Sequence, residues 1–217
     1  MLTAGVSQPQ MRHLQSELLL ALIKTVKSEC FATLNAIITG AGANLPLLIG
    51  VITMDNLKLY EISAKYIEYL TAFAPHLFHN KTATQSNERK YIGVILSVNG
   101  MDYFAPLSSF KEKHVRMQES VDFIKIKRYA VINLNNMFPV PVGLASYVDI
   151  SKEQNPKYKS LLLAEYRAIK AMQEKIRKNA LFVYKHKLEN GNATALAKRC
   201  NDYLLLETAC REYKPGK

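Results

Sequence analysis

The 217-residue sequence has no tryptophan, only three cysteines and nine glycines, and 18 acidic residues against 29 lysines and arginines. Cys30, Cys200 and Cys210 are widely spaced, which argues against a disulfide framework and fits a reducing compartment. Among five scattered histidines only His76 and His79, in "PHLFH", approach a ligand spacing. No thiol or carboxylate stands beside them, so no metal site is expected. The P-loop, the dinucleotide-binding glycine fingerprint and the Gly-x-Ser-x-Gly elbow are all missing, and no cofactor is expected. The first ten residues lack the basic start and apolar centre of a signal peptide. An uncharged run from Cys30 to Met54 is interrupted by Asn35, Asn44, Pro46 and three glycines, an apolar density too low for a membrane span. The expected location is the cytoplasm.

What the chain has in excess is positive charge. Its formal net charge is +11, and residues 151–217 alone carry 15 Lys/Arg against 7 Asp/Glu. A surplus of this size favours a polyanionic partner, because a basic surface attracts phosphate and gains from counterion release. Composition alone leaves a merely soluble basic protein open. With 48% hydrophobic residues the chain can build a core of ordinary size.

The chain changes character at Met54. Before it, Leu14, Leu18, Leu22 and Val26 form a helical stripe between Met11 and Ile37, followed by a small-residue break at Gly40 to Asn44. After it, "NLKLYEI" reads as a strand and "SAKYIEYLTAF" as a short helix with Ser63 as N-cap and Tyr66, Ile67 and Leu70 on its apolar face. Pro75 to Asn87 reads as loop. "YIGVILSV", Asn99-Gly100 and "MDYFAPL" predict a hairpin, since Asn-Gly tolerates the positive φ angles of a type I′ turn. Further strands are expected in "VDFIKIKRY", "AVINLN" and "PVPVGLASY". Beyond Pro156 the period becomes helical: Leu162, Tyr166, Ile169, Met172 and Ile176 predict one long helix from about Lys157 to Asn179. Asn190-Gly191 closes a further helical stretch, and "DYLLLETACREY" predicts a last short helix. The expected class is α+β, a small, strongly bent antiparallel sheet with helices packed to one side.

The chemistry is concentrated in "YFAPLSSFKEKH", Tyr103 to His114. Two serines, two lysines and a histidine follow a strand that can aim them. Solvated loops contain the same residue types, so the segment by itself leaves both readings open. A ribonuclease that uses the RNA 2′-hydroxyl as nucleophile needs cations and hydrogen-bond donors around the phosphorane, and groups that move protons. Ser108 and Ser109 can donate to phosphate oxygens, Lys111 can offset negative charge, and His114 is a candidate proton carrier.

The segments "LYEISAKYIEYL", "YIGVILSVNGMDYFAPLSSFKEKH", "INLNNMFPV" and "CNDYLLLETACREY" resemble, in order and spacing, the ToxN/AbiQ family of type III toxin–antitoxin endoribonucleases, from about Met54 to Tyr213. The resemblance implies a compact antiparallel β-barrel of the Kid/MazF-like kind, extended by helices. It also implies metal-independent cleavage leaving a 2′,3′-cyclic phosphate. The implied partner is a repeated, pseudoknotted antitoxin RNA that the toxin processes and that inhibits it in a closed ring, commonly 3:3. The implied outcome is growth arrest or abortive phage infection. Carried over by position, Ser109 matches the family's essential serine, Ser108 the preceding Ser/Thr, Lys111 the following lysine and His114 a histidine of the same loop. Arg89 stands at a basic position of the family, which Lys90 fills after a shift of one residue. The family usually has proline where this chain has Phe110, which implies a looser loop, and some members have a tyrosine where this chain has Gln85. Tyr66 and Tyr69 match aromatic positions, read as core with RNA stacking as the alternative. Lys90, Lys113, Lys159, Arg167, Lys170, Lys175, Arg177 and Lys178 are the expected RNA contacts, the last six along the long helix.

Residues 1–53 have no counterpart in the family. They are either an added helical segment or the translation of a misplaced start, with Met54 opening the true domain of residues 54–217. A misplaced start is the expectation, because "GVIT" can be encoded with a ribosome-binding sequence ahead of Met54, and no linker or charged boundary marks a domain entry. A non-catalytic RNA-binding protein and a toxin restrained by a protein antitoxin are the alternative functions.

Overall fold

The structure is a computed structural model, and it describes residues 56–74, 77 and 89–215. The N-terminal stripe, Met54, the His76/His79 pair and Gln85 lie outside the described residues. Seven strands form one antiparallel sheet: β1 (Lys58–Ile62), β2 (Tyr91–Val98), β3 (Met101–Ser109), β4 (Phe123–Ile126), β5 (Ala130–Asn133), β6 (Phe138–Val140) and β7 (Ala145–Tyr147). Among the described residues six α-helices accompany them: α1 (Ala64–Thr71), α2 (Lys113–Arg116), α3 (Pro156–Ala171), α4 (Gln173–Asn190), α5 (Ala195–Arg199) and α6 (Tyr203–Glu212).

The β2–β3 hairpin forms as its turn dictates, with φ of 51° at Asn99 and 76° at Gly100. The sheet runs in the order β4-β5-β3-β2-β1-β7, and β6 pairs with the first half of β3. β3 is therefore the hub: one edge faces β2, while the other is shared by β6 at residues 102–104 and β5 at residues 107–109. Among the described residues β4 and β7 end the sheet without pairing to each other. Among the described residues the sheet is thus bent and is not closed into the compact barrel that the resemblance implied, with two short strands dividing the second edge of β3.

Helices cover both faces of this sheet, which corrects the expectation of a single helical side. Tyr103, Ala105 and Leu107 of β3 join one buried cluster with Leu162 and Ile169 of α3 and Ile176, Val183 and Tyr184 of α4. Phe104, between Tyr103 and Ala105, joins the other cluster with Tyr66, Ile67 and Leu70 of α1 and Leu206 and Ala209 of α6. Alternate residues of a strand face opposite sides, so a continuous apolar run such as that of β3 is the signature of burial on both. Gly93 lies where β2 crosses Phe104, and a Cβ there would collide with the phenyl ring.

The expected helix of residues 157–179 is two helices. Asn155 accepts hydrogen bonds from the backbone of Lys157 and Tyr158 and caps α3, with Pro156 at its first position. Met172 then leaves the helical region (φ −111°, ψ 7°) and α4 begins afresh. The break is a tertiary effect: neither Pro nor Gly stands there, and it lets the apolar stripes of both helices follow one bent sheet. Tyr66 and Tyr69 hydrogen-bond the carbonyls of Pro139 and Ala209 at 2.7 and 3.2 Å, in keeping with the core role. A buried carboxylate, Glu207, accepts from the hydroxyls of Tyr103 and Tyr184 at 2.8 and 2.7 Å and ties the hairpin to α4 and α6.

Candidate active site at the end of β3

Ser108 and Ser109 are the last two residues of β3, opposite Val131 and Ala130 of β5. As successive strand residues they project to opposite faces. The Ser108 Oγ accepts a hydrogen bond from an Arg89 Nη at 3.2 Å. Arg89 enters β2 from the chain preceding Tyr91, so the two basic-motif and serine-motif segments, far apart in sequence, meet at this corner of the sheet. Burial holds the Arg89 pKa below the ordinary guanidinium value, and the neighbouring Tyr91 opposes the shift. Ser109 is exposed on the other side of the strand.

Beyond Ser109 the chain is held at Phe110, at the Lys111 backbone and at His114. The Phe110 backbone N–H donates to the Tyr129 carbonyl at 3.1 Å, a bond that proline in that position has no hydrogen to make. Phe110 also packs edge-on to His114 (5.5 Å between ring centroids), whose other side meets Phe123 at 5.8 Å. The loop is therefore anchored at Phe110, where the departure from the family's proline implied loosening. His114 is only 6% exposed. Its Nδ1 accepts from the Lys111 backbone N–H at 3.0 Å, while its own backbone N–H donates to the Lys111 carbonyl at 2.8 Å. This reciprocal pair fixes the Lys111 backbone and gives His114 an accepting Nδ1. Burial, followed by the charges of Lys113, Lys111 and Lys125, holds the His114 pKa below the ordinary value. Lys111 is exposed, and its ammonium group has no hydrogen-bond or ion-pair partner among the described residues. The corner thus presents a hydroxyl, an ammonium group and a guanidinium–hydroxyl pair, all of them suited to an anion and especially to a phosphodiester.

The profile of the family described as "Toxin ToxN, type III toxin-antitoxin system" matches residues 58–211. This chain belongs to that family. It is 34% identical over 168 residues to Endoribonuclease ToxN of Bacillus thuringiensis subsp. kurstaki, across 74% of this chain and 86% of that one. Endoribonuclease AbiQ of Lactococcus lactis subsp. lactis is 26% identical over 172 residues, across 73% and 90% of the two chains. A solved structure of a type III toxin, described with its selective inhibition by a non-coding RNA pseudoknot, matches at a TM-score of 0.66 and 31% identity. That match covers 74% of this chain and 99% of the other.

The remaining basic residues singled out for this ToxN-family chain are distributed unevenly. Lys90 is ion-paired with Glu61 and largely buried, which ties it to β1. Lys113 is exposed on α2, next to the serine and lysine corner. Lys159 donates to the Ser151 carbonyl at 2.5 Å, and Lys175 pairs with Glu119 at 3.3 Å. Arg167, Lys170 and Lys178 are exposed, and Arg177 is half-buried. The break at Met172 places Lys159, Arg167 and Lys170 on α3 and Lys175, Arg177 and Lys178 on α4, so the six cations do not form one straight ribbon. Sequence reasoning missed Tyr129 and Phe123, which brace the loop from the β4–β5 hairpin. The alternation in "FIKIKRYAVI" announces that hairpin, but nothing in it says which loop it supports. Among the described residues no group of three or more His, Cys, Asp or Glu side chains is placed to hold a metal, and no helix is long and apolar enough to cross a membrane.

Proposed function

We propose that this endoribonuclease cleaves RNA at the end of β3 by attack of a 2′-hydroxyl on the adjacent phosphate. The 2′-oxygen bonds to phosphorus, the bond to the 5′-oxygen breaks, and the products are a 2′,3′-cyclic phosphate and a 5′-hydroxyl end. The 2′-hydroxyl proton leaves to a phosphate oxygen or water, and the departing 5′-oxygen takes one up. The supporting observation is the exposure of Ser109 and Lys111 at the strand end, with the Lys111 backbone held by His114. Lys111 offsets the charge gathering on the phosphorane and Ser109 donates to one of its oxygens, while Arg89 and Ser108, on the other face of β3, hold the strand end and the chain entering β2 together. His114, expected as a proton carrier, is better suited to positioning. Its Nδ1 is already engaged by Lys111 and its ring is sealed between two phenyl groups.

The test is chemical. A substrate carrying a single 2′-O-methyl group at the scissile nucleotide should resist cleavage while still binding, and cleavage of the unmodified strand should leave a cyclic phosphate and persist in EDTA. Cleavage of the methylated strand at an undiminished rate would refute the mechanism.

The partner we propose is an antitoxin RNA of pseudoknotted repeats that the enzyme processes and that then blocks it in a ring, commonly of three proteins and three RNAs, limiting growth or phage multiplication. Tandem short repeats in the DNA preceding the gene are the expected sign. A neighbouring gene for a small acidic protein in their place would point to a protein antitoxin. The mass of the purified complex decides the stoichiometry.

A further inference from the structure

We propose that Phe182 on α4, stacked on His186, is a platform for an unpaired base of bound RNA; the proposal rests on the RNA-binding reading above and assigns it a site. Phe182 is 51% exposed, at the middle of the outermost face of α4. The exposed residues of that helix are Glu174, Lys175, Lys178, Phe182, Lys185 and Glu189, and those from Lys175 onward follow the three- and four-residue steps of one helical stripe. A phenyl ring therefore sits where a solvated helix normally carries a polar residue, with an ammonium group one turn away on each side.

The ring is held from behind. His186 lies one turn on and stacks on Phe182 with an interplanar angle of 19° and centroids 5.7 Å apart. His186 is itself fixed at both nitrogens. The Asn190 Nδ2 donates to the His186 carbonyl at 2.9 Å, which settles the orientation of the amide and makes the same nitrogen a donor to Nδ1 at 3.4 Å. Nε2 is then the donor to the Thr194 Oγ1 at 2.7 Å, an oxygen that also accepts from the Ala197 backbone N–H at 3.1 Å. Thr194 caps α5, so the stack is locked to the next helix, and the outer face of Phe182 is presented with little freedom left to lose.

Charge selects the occupant. A second copy of the chain would bring like charge to this stripe. An aliphatic partner surface would gain nothing from the flanking lysines. An RNA strand meets all three groups, because every base has a π-face for the phenyl ring and every linkage a phosphate for Lys178 or Lys185. Isolated exposed apolar residues are common on protein surfaces. What distinguishes this one is the locked aromatic partner beneath it and the cations flanking it.

The test uses the full chain carrying Ser109→Ala, so that bound RNA is not consumed. Two fluorescent strands of equal length are titrated, an oligoadenylate and an abasic ribose-phosphate chain. Phe182→Ala should weaken binding of the oligoadenylate about tenfold without changing its salt dependence, and leave the abasic strand unaffected, whereas Phe182→Trp should bind as well as the parent or better. Equal binding of the oligoadenylate by the parent and Phe182→Ala, equal losses on both strands, or a failure of Phe182→Trp would each overturn the proposal. If the parent binds neither strand, the RNA-binding reading itself fails. Retained RNA affinity in Phe182→Ala together with lost affinity for polyglutamate would reassign the surface to an acidic protein. Two further arms identify the RNA that uses the platform. With Ser109 intact, a raised KM for cleavage in Phe182→Ala assigns the base to substrate, weakened neutralisation by the upstream repeat RNA assigns it to the antitoxin, and no change in either refutes the site.

Discussion

Two parts of this molecule carry the cations proposed to meet RNA, and they are built in opposite ways. At the end of β3 there are few, and two of them stand on points fixed by specific contacts: the Arg89 guanidinium by Ser108, and the Lys111 backbone by His114. On α3 and α4 there are many, several of them tied down at the surface, as Lys175 is by Glu119, and others such as Arg167, Lys170 and Lys178 simply exposed. Chemistry needs groups fixed to a fraction of an ångström. Holding a polyanion needs only charge at roughly the right density. The difference suggests a division of labour, with rate residing at the sheet corner and affinity on the helices.

Substitutions that separate rate from affinity put this division to the test. The largest effect should come from Lys111→Ala, which removes the group proposed to face the phosphorane. We expect the cleavage rate constant to fall on the order of 10²- to 10³-fold, with RNA affinity within about threefold of the parent, as read by single-turnover kinetics and by titration.

Next comes His114→Ala, which frees the Lys111 backbone and should cost roughly ten- to hundredfold in kcat. His114→Asn keeps an acceptor near the Nδ1 position and should recover most of that loss. This pair also carries a pH signature. The pKa of His114 is lower in the folded protein than its ordinary value of about 6.5. Its contribution to stability is therefore complete above that value and lost as pH falls through the lower folded value. The parent should lose stability and activity together on that acid side, with protonation of Nδ1, and His114→Asn should not. A low-pH limb that is identical in both would dissociate His114 from the loop.

A smaller effect is expected from neutralising Arg167, Lys170 and Lys178 together. RNA affinity should fall on the order of tenfold, and the slope of log affinity against log salt should become shallower by about 2, while the cleavage rate at saturating RNA stays unchanged. A loss of rate at saturation would place part of the chemistry on the helices.

The smallest effect concerns Glu165, on the packed side of α3, whose pKa burial pushes up to about 7. A raised carboxyl pKa contributes stability that is complete below the ordinary carboxylate value and lost as pH rises to about 7. Glu165→Gln should therefore stabilise the protein by about 1–2 kcal/mol at pH 8 and by almost nothing at pH 4, as measured by denaturant unfolding, without altering RNA affinity.

What the sequence made legible was mainly local. Asn99-Gly100 fixed the central hairpin, because its turn chemistry acts within four residues, and Pro156 after Asn155 announced the start of α3 for the same reason. The order of Ser108, Ser109 and Lys111 after an apolar strand marked the candidate site. The features that escaped depend on residues far apart in the chain. Nothing around Met172 signals a break, since the break exists to fit two helices to one bent sheet. The two-sided burial of β3 was written in the run "YFAPL", which holds no charged residue and which a one-sided reading of the sheet passed over. Phe110 looked like a defect because its support, the Tyr129 carbonyl and the His114 ring, comes from a hairpin and a helical turn that follow it. Phe182 and His186 stand at a four-residue spacing in a basic helix, a visible signal. Its meaning depends on Asn190 and Thr194 locking the histidine.

The most direct test of the division between the sheet corner and the helices is one paired measurement on Ser109→Ala: single-turnover cleavage rate and equilibrium affinity for the same RNA, at the same salt concentration. We predict a rate reduced by at least about 10²-fold with affinity within threefold of the parent. Cleavage at the parental rate, or a loss of affinity large enough to account for the lost activity, would contradict it.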